Sequence, residues 1–190
     1  MSFLARPGMP GARRLFLGQS GLVLSGAAVA LLAGNHGLAA EAGGASAADA
    51  QILNTALGAE LEAIAAYQVG AESKLLQKPA LDLALTFQGH HKEHAELLAK
   101  TVEKLGGKPV AAKAKYDFPV AQLKSQADVL RFAAKLEQGA VSAYLGAVPL
   151  FGDRDLSKAA ASILGDEAMH WAVLRQALGE VPVVPSAFVS

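Results

Sequence analysis

The chain has 190 residues, 52% of them hydrophobic, with 17 basic side chains, 17 acidic side chains and no cysteine. That length can bury a real core, and the lack of cysteine excludes disulfides, thiolate metal sites and thiol chemistry. All 17 acidic residues follow Ala40 while Arg6, Arg13 and Arg14 precede it, leaving 14 basic groups and a net charge of −3 beyond that point. A mildly acidic body with few aromatics argues against a nucleic-acid partner.

Residues 1–40 read as a leader. A basic segment ends in Arg13-Arg14-Leu15-Phe16-Leu17, and no further charged residue appears before Glu41. The intervening stretch Gly21–Gly34 is rich in glycine and alanine, and small residues offer cleavage after Ala39, Ala40 or Ala42. The pattern resembles a twin-arginine export signal. That resemblance implies passage through the twin-arginine export machinery to the periplasm or another exported location. Proteins carrying such signals generally cross already folded, often with a cofactor inserted beforehand.

A Gly/Ala/Ser linker at 41–46 follows, and Ser46 with Asp49 has the form of a capping box opening the first helix. Apolar residues at spacings of three and four then mark four amphipathic helices across residues 47–179. Pro79 suits the first turn of the second helix and Gly106-Gly107 its end. Ser125 and Asp128 open the third, and Asp153 or Asp155 opens the fourth. Short turns make each consecutive pair antiparallel. Between the pairs lies Gly107–Lys124, which can span about 60 Å when extended, against about 37 Å for a 25-residue helix. The expected fold is therefore all-α, an antiparallel four-helix bundle of two hairpins joined by a long crossover. The tail, residues 180–190, carries Val181, Val183, Val184, Phe188 and Val189. Either the bundle itself or a second subunit in a homodimer would cover them.

The two hairpins repeat one another. Glu60 is followed seven residues later by Tyr67, and Glu137 seven later by Tyr144. His91/His94 and Glu167/His170 follow, each pair spaced at i, i+3. The Glu/Tyr pairs are offset by 77 residues and the i, i+3 pairs by 76; such repetition is evidence of architecture. Glu60, Glu137 and Glu167 stand where the apolar stripes call for Leu or Ile, and no Lys or Arg shares those stripes. A buried carboxylate must be protonated, paired or metal-bound, and carboxylate with imidazole suits iron, manganese or zinc. Glu62 lies about 200° round from Glu60 and is expected in solvent. His90 projects about 80° from its helix's apolar arc, against about 20° for His91, which makes His90 the bystander. Tyr67 and Tyr144 read as core tyrosines whose hydroxyls bond a ligand carboxylate, and Trp171 reads as a packing residue.

In layout, residues 47–179 resemble the ferritin-like superfamily. That family's metal site takes one Glu from each of two helices and a Glu-x-x-His from each of the other two. Glu60 and Glu137 match the single acids, and Glu167-Ala168-Met169-His170 matches one Glu-x-x-His. His91-Lys92-Glu93-His94 matches the other only at His94. The resemblance implies Glu60, His91, His94, Glu137, Glu167 and His170 as metal ligands, one or two transition-metal ions with iron favoured, and oxidation of Fe(II) by oxygen or peroxide. His91 departs from the pattern. Neutral imidazole has one lone pair and cannot bridge two ions, and three carboxylates offset only part of the charge of two divalent cations. A mononuclear or asymmetric site is the expectation. The reading from a different class is a structural or stress-associated bundle whose polar core holds zinc or no metal.

Overall fold

A computed structural model describes residues 42–187, with side chains from Ser46 onward. The leader expected over residues 1–40, and Phe188 and Val189 of the tail, lie outside the described residues. Four long helices account for most of the rest: α1 (Ala42–Glu72), α2 (Lys78–Lys104), α3 (Gln126–Ala147) and α4 (Arg154–Ala177). Among the described residues there is no strand, and no helix is long and apolar enough to cross a membrane.

Local chemistry sets most helix ends. Pro79 sits in the first turn of α2, where its missing N–H has no partner to lose. Ser125 caps α3, its hydroxyl accepting from the Asp128 N–H at 3.3 Å, while the Asp128 carboxylate accepts from the Lys124 N–H at 3.1 Å. Asp153 caps α4 by accepting from the N–H groups of Asp155 and Leu156. Gly106 and Gly179, with φ of +78° and +72°, turn the chain just beyond α2 and α4, a conformation in which any side chain is strained.

One expected boundary differs. Helix α1 reaches back to Ala42, so residues 42–46 are helical and Ser46 with Asp49 does not cap the helix. The reason is tertiary. Buried Asp49 accepts from the N–H groups of Gly152 at 2.9 Å and Asp153 at 3.1 Å, tying α1 to the turn between α3 and α4.

Helix α1 packs chiefly on α2 and α3 on α4, with lighter α1–α3 and α2–α4 faces completing the bundle. Pairing of Glu60 with Tyr144 and of Tyr67 with Glu137 means that α1 and α3 run in opposite directions. Helix α2 therefore ends at the opposite end of the bundle from where α3 begins, and residues 107–124 make the return. Asn54 of α1 clips this crossover, donating to Lys108 O at 2.8 Å and accepting from Val110 N–H at 2.9 Å. Two apolar clusters fill the bundle, one around Leu53, Leu98, Val102 and Ile163, the other around Phe87, Leu130 and Leu174. Between them lies a layer of buried polar side chains. The tail folds back on α4, where the Arg175 guanidinium donates to Val183 O and Pro182 O. Val181 and Val184 remain exposed.

Candidate metal centre

The polar layer takes residues from all four helices. Glu60 comes from α1, His91 and His94 from α2, Glu137 from α3, and Glu167 and His170 from α4. Five of the six are buried and His94 is partly so. Their ligand-type atoms fall into two overlapping groups, Glu60/His91/His94/Glu167 and His91/Glu137/Glu167/His170, with the atoms of each group within 4.8 Å of one another. His91 and Glu167 belong to both. Glu167 turns Oε1 toward His94 Nδ1 at 3.1 Å and Oε2 toward His170 Nδ1 at 3.3 Å. His91 spans the same gap with its two nitrogens, Nδ1 lying 2.8 Å from Glu60 Oε2 and Nε2 3.4 Å from Glu137 Oε1.

The two tyrosines cross-link the repeat. Tyr67 on α1 donates to Glu137 on α3, and Tyr144 on α3 donates to Glu60 on α1 at 2.6 Å. Each hydroxyl thus satisfies one oxygen of the other hairpin's acid and fixes its rotamer. Burial and the adjacent carboxylate charge push both phenols well above their ordinary range, so they stay donors.

Electrostatics follow from burial opposed by pairing. Burial alone would raise the Glu60 carboxyl, but the hydrogen bond with His91 and the neighbouring His94 imidazole outweigh it and hold the group below the usual carboxylate range. Burial is likewise overcome at Glu137 by His170 and His91, and its carboxyl is lowered. For the histidines burial pulls down and the glutamates pull up harder. His91 rises to about 11, and His94 and His170 each to about 9.

Three buried atoms in this layer have no hydrogen-bond partner: His94 Nδ1, Glu137 Oε2 and Glu167 Oε1. His94 Nδ1 and Glu167 Oε1 are close, yet they do not meet as donor and acceptor. A buried polar atom left unpaired costs about 1–3 kcal/mol. Lone pairs gathered on carboxylates and imidazoles are what a first-row transition ion requires, so the cluster fits a metal ion.

Two residues missed by the sequence reading complete the surroundings. Asp166 places Oδ2 3.3 Å from Nε2 of both His94 and His170, an orientation that leaves their Nδ1 atoms facing the glutamates. His90, expected as a bystander, lies 2.8 Å from His170 Nε2 and 3.3 Å from Asp166 Oδ2. Its angle from the apolar arc is real, but that direction borders α4 as well as solvent. The signal available was spacing: His90 precedes His94 by four residues and Asp166 precedes His170 by four. Phe87 stacks on the His170 ring at 4.0 Å between centroids, and Trp171 packs against the apolar cluster around it.

On the opposite side, a cavity of about 40 Å³ opens between α1 and α3, lined mostly by apolar side chains, six of them alanines, and reaching Glu60 and Glu137. Glu62 stands at this cavity, half-buried rather than in solvent, and burial pushes its carboxyl up. Small alanine side chains leave the space that the helical projection treats as water.

Comparisons agree with this architecture. Residues 48–180 match the model of the ferritin-like domain. The structure of a conserved hypothetical protein, rv2844, from Mycobacterium tuberculosis superposes with a TM-score of 0.65 at 24% identity, covering 76% of this chain and 99% of that one. No curated protein matches the sequence. With 133 consecutive residues matched to one family model and a bundle of two hairpins around a buried Glu/His layer, the chain belongs to the ferritin-like domain family.

Proposed function

We propose that this protein is an exported metalloprotein whose Glu/His layer binds iron, with manganese or zinc as alternative ions, and that it oxidises Fe(II) when two ions are held. The observation that carries the reading is the set of three buried donor atoms without partners in two overlapping groups. Glu60 and His94 would hold an ion in one group, Glu137 and His170 in the other, with Glu167 facing both. Bound iron supplies electron exchange with oxygen or peroxide. Tyr67 and Tyr144 hold the terminal carboxylates, and Asp166 orients the imidazoles. The cavity between α1 and α3 has room for roughly three water-sized positions, enough for a small uncharged oxidant to reach the carboxylates.

A second reading is supported by the histidines. Three imidazoles raised above their ordinary range face three glutamates, so protons can neutralise the layer without metal. A structural bundle with zinc or no metal would use the same residues. Elemental analysis of protein purified without added metal, followed by oxygen consumption with Fe(II), separates the two. Bound iron supports the metal centre, and oxygen uptake in addition supports Fe(II) oxidation by a two-ion site. Protein that binds no iron even when Fe(II) is supplied without oxygen leaves the structural bundle.

Export rests on the Arg13-Arg14-Leu15-Phe16-Leu17 pattern. Replacing both arginines by lysine should leave precursor in the cytoplasm. Normal appearance of mature protein in the periplasm would refute this assignment.

A further inference from the structure

Beside the buried ligands, a second cluster of side chains able to hold a metal ion stands between α2 and α4. His90 Nδ1 lies 2.8 Å from His170 Nε2, and Asp166 Oδ2 lies 3.3 Å from both. Two imidazoles and a carboxylate form a donor set for a divalent first-row ion. We propose that His90, Asp166 and the outer nitrogen of His170 form a loading site that takes a divalent cation from solvent and hands it to the buried centre. This rests on the reading of that centre as a metal site.

Exposure gives the direction. Side-chain exposure falls from 41% at His90 to 25% at Asp166, 14% at His94, 2% at His170 and 0% at Glu167. The series runs from water to the innermost carboxylate through side chains that can each bind a cation. The other opening, between α1 and α3, is lined mostly by apolar side chains and offers carboxylates but no imidazole.

His170 makes the cluster a relay rather than a second resting site. Its Nε2 faces His90 and Asp166, while its Nδ1 faces Glu137 and Glu167 at 3.5 and 3.3 Å. A neutral imidazole has one lone pair, so the ring serves the outer ion or the inner one, not both. With an ion on Nδ1, Nε2 would carry the ring proton and donate it to Asp166; with an ion on Nε2, Nδ1 would carry it toward the glutamates.

The test is Co(II) uptake by the full chain, followed by its visible absorption in a stopped-flow instrument, in the unmodified protein and in His90→Gln. Losing one of three ligands lowers occupancy of the outer site, and hence the loading rate, by about tenfold or more. The final number of ions bound should be unchanged. Equal loading rates in the two proteins overturn the loading site while leaving the buried centre intact. Failure of the unmodified protein to take up Co(II) at all overturns the metal-centre reading and the loading site with it. A His90→Gln protein that loads at the normal rate but binds fewer ions would make His90 a ligand of the resting centre, which also overturns the relay.

Discussion

Tyr144, on the third helix, donates its hydroxyl to Glu60, on the first, at 2.6 Å. Tyr67 returns the same bond to Glu137 from the other side. Tyr144→Phe leaves a buried carboxylate oxygen without its donor, at a cost of about 1–3 kcal/mol. Urea unfolding of the metal-free protein should show that loss, and metal affinity should fall about tenfold or more because Glu60 is no longer held in place. Unchanged stability and affinity would mean that the hydroxyl's bond does not organise the layer.

His91 occupies a position shared by both ligand groups, as Glu167 does. A carboxylate can give one oxygen to each of two ions, whereas neutral imidazole gives one lone pair. The unmodified protein should therefore bind about one ion tightly and show weak or no oxidase activity, with His91→Glu raising the stoichiometry toward two. Anaerobic titration with Fe(II) or Mn(II) measures this. Two equally tight ions in the unmodified protein would show that His91 does not limit the site.

The metal-free layer should give a lopsided pH profile. His94 and His170 are raised from 6.5 to about 9 and His91 to about 11. Groups raised on folding contribute stability that is complete below the unfolded value, about 6.5, and is lost as pH climbs through the folded values. Glu60 and Glu137 are lowered from 4.5, so their contribution is present above that value and lost as pH falls. Stability of the metal-free protein should peak between about pH 4.5 and 6.5 and decline above, by up to about 1.4 kcal/mol per pH unit for each histidine. Metal competes with the same protons, so its affinity should rise over the declining range. Urea unfolding at about pH 5.5 and about pH 8.5, with and without metal, tests both slopes. Greater metal-free stability at the higher pH would contradict the assignment of protons to these rings.

Asp49→Ala removes the acceptor of two N–H groups at Gly152 and Asp153. It should destabilise the fold by about 1–3 kcal/mol while leaving the number of metal ions bound unchanged. Thermal unfolding and metal titration together check this; an unaltered melting temperature would place Asp49 outside the fold's support.

The sequence reveals what depends on helical period. Glu60, His91, Glu137, Glu167 and His170 each interrupt an apolar stripe, so their burial and gathering in one layer were legible. The crossover was legible from length and proline content. What escaped depends on neighbours distant in the chain. Asp49 has the look of a local cap, yet its partners are more than a hundred residues away. His90 and Asp166 lie off the apolar arcs of their own helices, and only the crossing of α2 over α4 brings them together. Glu62 is half-buried because alanines on α1 and α3 leave room beside it, a matter of side-chain volume that angular projection does not contain.

The pairing of α1 with α3 and of α2 with α4 has a consequence for how different the two halves can be. A hairpin completing its site against an identical copy of itself must present the same residue at both equivalent positions, two histidines or two glutamates. In this chain position 91 is His and position 167 is Glu. Such inequality is closed to a pair of identical hairpins and open to a protein that carries both on one covalent thread, where each half can drift without obliging the other to follow.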